Sequence, residues 1–123
     1  MWTLKLNPLN KGKQQENKAL LYLQQQGLTL LAHNEAFAGG EIDLIMQDKN
    51  QLVFIEVRYR KNSAFGGAAA SVSYQKQQKM RNTAALYLAR HYPKQPPACR
   101  FDVIAMSGDS EKPDINWIRN AFE

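Results

Sequence analysis

Apolar positions along the chain follow first a helical and then an alternating spacing. Residues 11–26 carry apolar side chains three and four apart, and Gly27 supplies the stop that ends many helices. A second helical stretch begins where Ser71 or Ser73 can cap it and runs to about His91. Between and after the helices, short apolar runs bounded by turn residues predict strands. The predicted strands are 28–34, 41–46, 52–59, 100–106 and 115–118.

This order, αβββαββ, predicts an α/β fold in which two helices cover a mixed sheet. We expect residues 1–10, which contain Pro8, to form an irregular arm, and residues 61–70 to form a small-residue loop. A short terminal element is expected after the last strand. A length of 123 residues predicts a single domain, 1–123.

The predicted hairpin 41–59 carries charges in strands that are otherwise apolar on both faces. Simple alternation places Ile42, Leu44 and Met46 on one face of its first strand and Asp43 on the other. Strands that are apolar on both faces are usually covered on both sides. A carboxylate buried there costs several kcal/mol, on an order-of-magnitude scale, unless it is paired or binds a metal.

The simplest register brings two carboxylates together in this hairpin. A two-residue turn at 49–50 would place Asp43 opposite Glu56 and Glu41 opposite Arg58. A divalent cation would relieve the repulsion between Asp43 and Glu56, and carboxylate oxygens suit Mg²⁺ or Mn²⁺. The alternative is a structural ion pair of Arg58 with Glu56 or Glu41, with Asp43 at an edge or turn.

The two helices offer further candidates for the same site. Glu16 lies one turn before the apolar stripe of Ala19, Leu20 and Leu23 and continues it, although the start of this helix is also compatible with full exposure. Lys76 precedes the stripe of the second helix by one turn and is a candidate to point at the site, with a solvated first turn as the alternative.

Charge distribution favours a polyanionic partner. The net charge is +5, and residues 57–101 contain nine Lys and Arg residues but no Asp or Glu. Pairing with acidic residues elsewhere, or simple solvation of a helix face, are the alternatives. The candidate nucleic-acid contacts are Arg58, Arg60, Lys61, Lys76, Lys79 and Arg81.

Composition excludes several classes of protein. A single cysteine, Cys99, forms no internal disulfide and is expected to be a small buried residue, and two histidines exclude a classical zinc finger. The apolar runs are too short to span a membrane, and residues 1–8 lack the apolar region of a secretory signal. We therefore expect a cytoplasmic protein with no membrane partner.

Three segments together resemble a known bacterial family. Residues 40–45 (GEIDLI), 53–60 (VFIEVRYR) and 100–103 (RFDV) resemble the YraN-like proteins, an uncharacterised family, over nearly the whole chain. That family is similar to the PD-(D/E)xK, or restriction-endonuclease-like, superfamily, and especially to archaeal Holliday-junction resolvases. The resemblance implies a catalytic set of Glu16, Asp43, Glu56 and Arg58, with Mg²⁺ or Mn²⁺ on Asp43 and Glu56. It also implies a possible homodimer.

One position departs from the superfamily pattern. Arg58 stands where the superfamily has a lysine, and a guanidinium binds phosphate but does not relay a proton at neutral pH.

Taken together, the charge pattern, the paired carboxylates and the resemblance predict a nucleic-acid-binding protein, with DNA favoured over RNA. They predict that it hydrolyses phosphodiesters with Mg²⁺ in a structure-selective or nonspecific manner. The alternatives are a non-catalytic nucleic-acid-binding module and a protein-interaction subunit with a basic face.

Overall fold

A computed structural model of the protein describes residues 11–37, 39–62 and 72–123. Within these ranges, helices and strands follow one another in the predicted order, and the predicted α/β fold class is confirmed. The helices are α1 (Lys11–Gln25) and α2 (Tyr74–His91). The strands are β1 (Thr29–Phe37), β2 (Gly40–Asp48), β3 (Gln51–Arg60), β4 (Cys99–Ser107) and β5 (Asp114–Phe122).

The five strands form one mixed sheet in the order β1-β2-β3-β4-β5. Neighbouring strands are antiparallel except β3 and β4, which are parallel and are joined through α2. A parallel pair needs a long crossover connection, and α2 with its flanking segments supplies it. Because α1 and α2 pack on opposite faces, the central strands are covered on both sides.

Local chemistry explains where α1 ends and where α2 begins. Gly27 has a φ of +98°, and Leu28 N–H donates to the carbonyl of Leu23, which closes α1 in the way that the sequence predicts. Ser73 caps α2: its Oγ accepts from the N–H of Lys76 at 3.1 Å. Ser73 is therefore the cap among the two candidate serines.

Gly40, at the start of β2, permits a close approach between the sheet and α2. A Cβ built at this position would lie 2.9 Å from the carbonyl oxygen of Lys79 and 2.5 Å from Oγ1 of Thr83. A contact to a backbone carbonyl at that distance leaves no room for a side chain. The glycine thus fixes how near α2 lies to the strand that carries Asp43.

Two separate hydrophobic cores lie on the two faces of the sheet. The α1 core contains Ala19, Leu23, Leu44, Met46, Val53, Ile55, Ile104 and Met106. The α2 core contains Ile42, Ile45, Leu52, Phe54, Met80, Ala84 and Tyr87. Such double coverage accounts for strands β2 and β3 being apolar on both faces.

The predicted alternation along β2 is wrong at one point. Ile42 belongs to the α2 core, whereas Leu44 and Met46 belong to the α1 core, so the three do not share a face. Asn34, which lies opposite Asp43 in the β1–β2 register, has a φ of +51°, outside extended backbone. This local break in β1 beside Asp43 accompanies the change of face.

Other expectations differ at the edges of the fold. β5 extends to Phe122, so the predicted strand 115–118 and the separate terminal element are one longer strand, which pairs with β4 as far as Phe101. Cys99 is exposed rather than buried, because it lies at the first position of β4. The arm 1–10 and most of the loop 61–70 lie outside the described residues. Among the described helices, none is long and apolar enough to cross a membrane.

Candidate functional site

Asp43 and Glu56 lie where strands β2 and β3 stop pairing. The ladder runs in the predicted register from Asp48–Gln51 to Leu44–Ile55 and ends there. The expected pairs of Asp43 with Glu56 and of Glu41 with Arg58 are therefore not ladder pairs. Instead, Oδ2 of Asp43 accepts a hydrogen bond from the N–H of Val57 at 2.8 Å. This bond holds the Asp43 carboxylate against β3, and both acidic side chains face the same space.

That space is a cavity of about 410 Å³ between the first turns of α1 and the separating ends of β2 and β3. A cavity of this size is within the range that binds small ligands or a part of a larger one. Its walls carry three carboxylates, one amide and one phenol. The lining residues are Gly12, Gln15, Glu16, Asp43, Glu56, Val57 and Tyr59.

The environment of Asp43 disfavours a charged carboxylate. Burial is the main cause and the negative charge of Glu56 the next, and together they raise the pKa of Asp43 to about 7. The hydrogen bond from Val57 N–H acts in the opposite direction but does not compensate. The charge of Lys76 also lowers this pKa, as the last of the contributions, so the two facing carboxylates form a site that is short of positive charge.

Glu56 is the more buried partner of this pair. Its residue is 8% exposed, and its Oε1 has no hydrogen-bond partner among the described residues. The nearest cation is Nζ of Lys76, at 3.6 Å from Oε1, which is an ion pair but too long for a good hydrogen bond. A buried carboxylate oxygen without a donor is costly unless something else binds there.

Glu16 lies at the rim of the same cavity, as expected if it continues the apolar stripe of α1. Nδ2 of Asn34 donates to its Oε1 at 2.8 Å, and Nζ of Lys13 lies 3.8 Å from the same oxygen. Burial raises the pKa of Glu16, the bond from Asn34 lowers it in part, and the charge of Asp43 raises it. Glu16 is thus oriented by Asn34 on β1.

Sequence reasoning missed two other side chains of the cavity wall. Gln15 is 4% exposed, and its Oε1 lacks a hydrogen-bond partner within the described ranges, although Nε2 lies 3.5 Å from the carbonyl of Ser110. The hydroxyl of Tyr59 donates to the carbonyl of Gly108. The signal for Gln15 was its spacing, four residues before the buried Ala19, which places it on the inner face of α1.

The predicted basic contacts do not all gather at the cavity. Arg58 is half-buried on the face of β3 opposite Val57 and Tyr59, and its guanidinium makes no ion pair with any residue that the structure describes. Arg60, Lys61 and Lys79 are exposed. Lys76 is the one that reaches a cavity carboxylate, Glu56.

Arg81 is tied to a different part of the molecule. Its Nε donates to the carbonyl oxygen of Glu123 at 2.5 Å, and its guanidinium lies 5.5 Å from the centre of the Phe122 ring. Its Nη groups donate to Gln77 and Gln78. These contacts attach α2 to the end of β5, so Arg81 is separated from the other predicted contacts.

The donor set fits one hard divalent cation. No group of three or more His, Cys, Asp or Glu side chains is arranged for a metal within the described ranges. Two carboxylates do face each other, however, and one of their oxygens is buried and unpartnered. Mg²⁺ commonly takes one or two protein carboxylates and completes its octahedron with water and substrate phosphate, so Asp43 and Glu56 are the residues that could hold such an ion.

Comparison with known sequences identifies the family. The profile of the group described as "Uncharacterised protein family UPF0102" matches residues 15–106, about three quarters of the chain. The chain belongs to the UPF0102 family. The resemblance to YraN-like proteins, which rests on three short segments of the sequence, is thereby confirmed. The matched range includes Glu16, Asp43 and Glu56 and all of α2.

UPF0102 proteins of several bacteria are similar to this chain over most of its length. One from Nitrosomonas eutropha is 53% identical over 114 residues, which cover 93% of this chain and 94% of that protein. One from Herminiimonas arsenicoxydans is 50% identical over 112 residues, 91% of this chain and 86% of its own. One from Stutzerimonas stutzeri is 47% identical over 116 residues. These relatives establish the family and carry no statement of activity.

Proposed function

We propose that this UPF0102 protein binds nucleic acid and hydrolyses its phosphodiester bonds with Mg²⁺ or Mn²⁺ held by Asp43 and Glu56. The observation that carries the proposal is the facing pair of carboxylates at one cavity wall, with Glu56 Oε1 buried and unpartnered among the described residues. The alternative ion pair with Arg58 would have supplied that oxygen with a donor, and Lys76, at 3.6 Å, supplies a charge without a hydrogen bond.

The three carboxylates of the cavity, together with Val57 and with Arg58 on the other face of β3, have roles that follow from their chemistry. When bound, the divalent cation supplies an activated water and neutralises charge that develops on the phosphate. Asp43 and Glu56 hold the cation, and Val57 N–H keeps the Asp43 carboxylate in place. Glu16, oriented by Asn34, accepts a hydrogen bond from a water at the rim of the cavity. Arg58 binds phosphate oxygens through its fork of N–H donors.

The charge pattern supports a nucleic-acid substrate. The basic block 57–101 places Arg60, Lys61 and Lys79 at exposed positions on the elements that flank Glu56. Contacts of this kind bind the backbone and carry no base sequence, so we expect structure-selective or nonspecific binding. Affinity should fall steeply with salt, because each phosphate contact releases counterions. DNA is the favoured substrate of this proposal. The proposal also includes a homodimer and a cytoplasmic location.

A non-catalytic nucleic-acid-binding module is the second candidate, and Arg58 favours it. A guanidinium stays protonated at neutral pH, so Arg58 does not relay a proton as the superfamily lysine can. In that case Asp43 and Glu56 would hold the cation only to bridge to a backbone phosphate. The two candidates share the metal site and differ in cleavage.

The metal site is tested by calorimetric titration of Mn²⁺ and Mg²⁺ into the metal-free protein. We expect Asp43→Asn and Glu56→Gln each to weaken binding at least about tenfold, since each removes a charged ligand. Glu41→Gln is the matched control, because Glu41 is an exposed acid two residues before Asp43 on the same strand. Equal affinities in all four proteins, or no binding by the wild type with or without nucleic acid, would exclude the proposed site.

Cleavage separates the two candidates. Labelled branched, duplex and single-stranded DNA is incubated with the wild type and with Asp43→Asn in Mg²⁺. An enzyme gives products with the wild type and none with the variant. A binding module gives no products with either protein, and Asp43→Asn binds DNA at least as well as the wild type without metal, because a negative charge is removed.

A further inference from the structure

The ion pair between Lys76 and Glu56 joins α2 to the cavity. Lys76 lies in the first turn of α2, and that turn contains no acidic residue. A cation is unfavourable at this end of a helix, because the unpaired N–H groups there already carry partial positive charge. The charge of Glu56, which lies 3.6 Å away on β3, offsets this cost.

The ion pair between Lys76 and Glu56 nevertheless lacks a hydrogen bond. The side chain of Lys76 is 34% exposed, whereas that of Glu56 is 11% exposed, so the ammonium approaches the carboxylate from the solvent side. At 3.6 Å it leaves Oε1 without a hydrogen bond. Lys76 therefore offsets the charge of Glu56 but leaves Oε1 open to another ligand. The long, flexible side chain of Lys76 allows its ammonium to move away at little cost.

We propose that Lys76 is an exchangeable counter-cation: it occupies Glu56 when no divalent ion is bound, and leaves it for a backbone phosphate of the nucleic acid when one is. This inference rests on the proposed metal site at Asp43 and Glu56. It makes metal binding and nucleic-acid binding mutually reinforcing, since the same event that seats the cation frees a positive charge for phosphate. Such coupling is reciprocal by thermodynamic linkage.

Lys76 is better placed for this exchange than Arg58. Both carry a positive charge near the end of β3, yet Arg58 makes no ion pair with any of the three cavity carboxylates among the described residues. A compact ammonium on four methylenes can swing between two acceptors, whereas a planar guanidinium binds best in one fixed orientation. Arg58 is thus suited to a static phosphate contact and Lys76 to the exchange.

Competition for Glu56 is tested first, by calorimetric titration of Mn²⁺ without nucleic acid. Removing the resident ammonium should tighten Mn²⁺ binding by about threefold to tenfold in Lys76→Met and Lys76→Gln, as expected for a partly exposed ion pair. Lys94→Met is the matched control, because Lys94 is exposed, lies in the segment after α2 and has the same charge. Thermal melts of the metal-free proteins identify any variant that fails to fold.

Coupling is tested by the anisotropy of fluorescein-labelled branched DNA, at constant ionic strength and before any product forms. Added Mg²⁺ should strengthen DNA binding by the wild type and by Lys94→Met several-fold more than by Lys76→Met. The variant keeps the contact between the bound cation and phosphate but lacks the ammonium that the exchange releases.

The outcomes separate this inference from the proposed function. If the wild type binds Mn²⁺ and Lys76→Met binds it equally well, the metal site stands and Lys76 is only a structural tie between α2 and β3. If neither protein binds Mn²⁺, with or without nucleic acid, the metal site itself is refuted and the inference with it. Tighter Mn²⁺ binding by Lys76→Met together with weaker coupling to DNA supports the exchange.

Discussion

Asp43 and Asp102 are aspartates of the same sheet that the fold treats in opposite ways. Asp102, on β4, is fully buried, and both of its carboxylate oxygens accept hydrogen bonds: from Nε and Nη2 of Arg100, from Nε1 of Trp117 and from the N–H of Asn120. Asp43 has one backbone donor and faces a second carboxylate, Glu56. All the acceptors of Asp102 are satisfied, whereas Asp43 and Glu56 share one nearby ammonium, that of Lys76, and are short of donors.

The difference follows from where the donors come from. Arg100 also donates to Oδ2 of Asp48 at 2.9 Å and to Oε1 of Gln51 at 2.6 Å, so it ties β4 to the turn between β2 and β3. Trp117 and Asn120 add donors from β5. A buried charge with so many hydrogen-bond donors stabilises the fold. A shortage of donors and of positive charge, like that at Asp43, is characteristic of binding sites.

Replacing each aspartate by asparagine removes its charge at nearly constant size. Of the changes considered, this substitution at Asp102 has the largest expected effect on the free energy of unfolding. Asp102→Asn should lower the free energy of unfolding by about 3–5 kcal/mol, because it removes one of the two carboxylates paired with Arg100 and sets an amide N–H against existing donors. In chelating buffer at pH 8, Asp43→Asn should instead be neutral or stabilising, because it removes a charge that burial disfavours. Urea unfolding measures both.

Asp114→Asn is the control for this comparison, because Asp114 is an exposed aspartate at the start of β5 and should change stability little. If Asp43→Asn proved as destabilising as Asp102→Asn, the Asp43 carboxylate would be a structural element, and the contrast between the two sites would not hold.

The pH dependence of the free energy of unfolding provides a second test of the Asp43 site. The pKa of Asp43 is about 7 in the folded protein and 3.8 is its ordinary value, so the folded state holds a proton that the unfolded state has lost between these values. Stability contributed by Asp43 is therefore present at low pH and is lost as pH rises from about 4 to 7. The upper limit of this loss is about 4 kcal/mol.

The free energy of unfolding is measured for the wild type and for Asp43→Asn in chelator at each pH. The difference between the two proteins isolates the contribution of Asp43. The stability of the wild type relative to the variant should decrease through this window and level off above it. A difference that stays constant with pH would show that burial and Glu56 do not perturb Asp43.

The sequence predicted the fold, and that Glu16, Asp43 and Glu56 lie close together, because both depend on local patterns. Gly27 and the cap by Ser73 locate the helix ends, and the turn at 49–50 sets a register that brings Asp43 near Glu56. The surroundings of Asp102 were not predictable in this way, since two of its three donor residues lie 15 and 18 positions later in the chain. The attachment of Arg81 to the end of β5 is likewise a tertiary contact without a local signal.

The change of face at Asp43 was missed because simple alternation assumes extended backbone throughout. Asn34 breaks that assumption with a φ of +51°, in the left-handed region that asparagine tolerates better than most residues. An asparagine within a strand is a weak signal, and only the structure shows that its side chain also holds Glu16.

Substitution of Asn34 sharpens this last point with the smallest expected effect. Asn34→Gly loses the hydrogen bond to Glu16 but accepts the backbone conformation, so it should cost about 1 kcal/mol. Asn34→Ala loses the same bond and also strains φ, so it should cost about 1 kcal/mol more. Asn116→Ala, at an exposed position of β5, is the control in the same urea unfolding series. If alanine at 34 were as stable as glycine, backbone conformation would not be the reason for asparagine there, and the change of face beside Asp43 would need another cause.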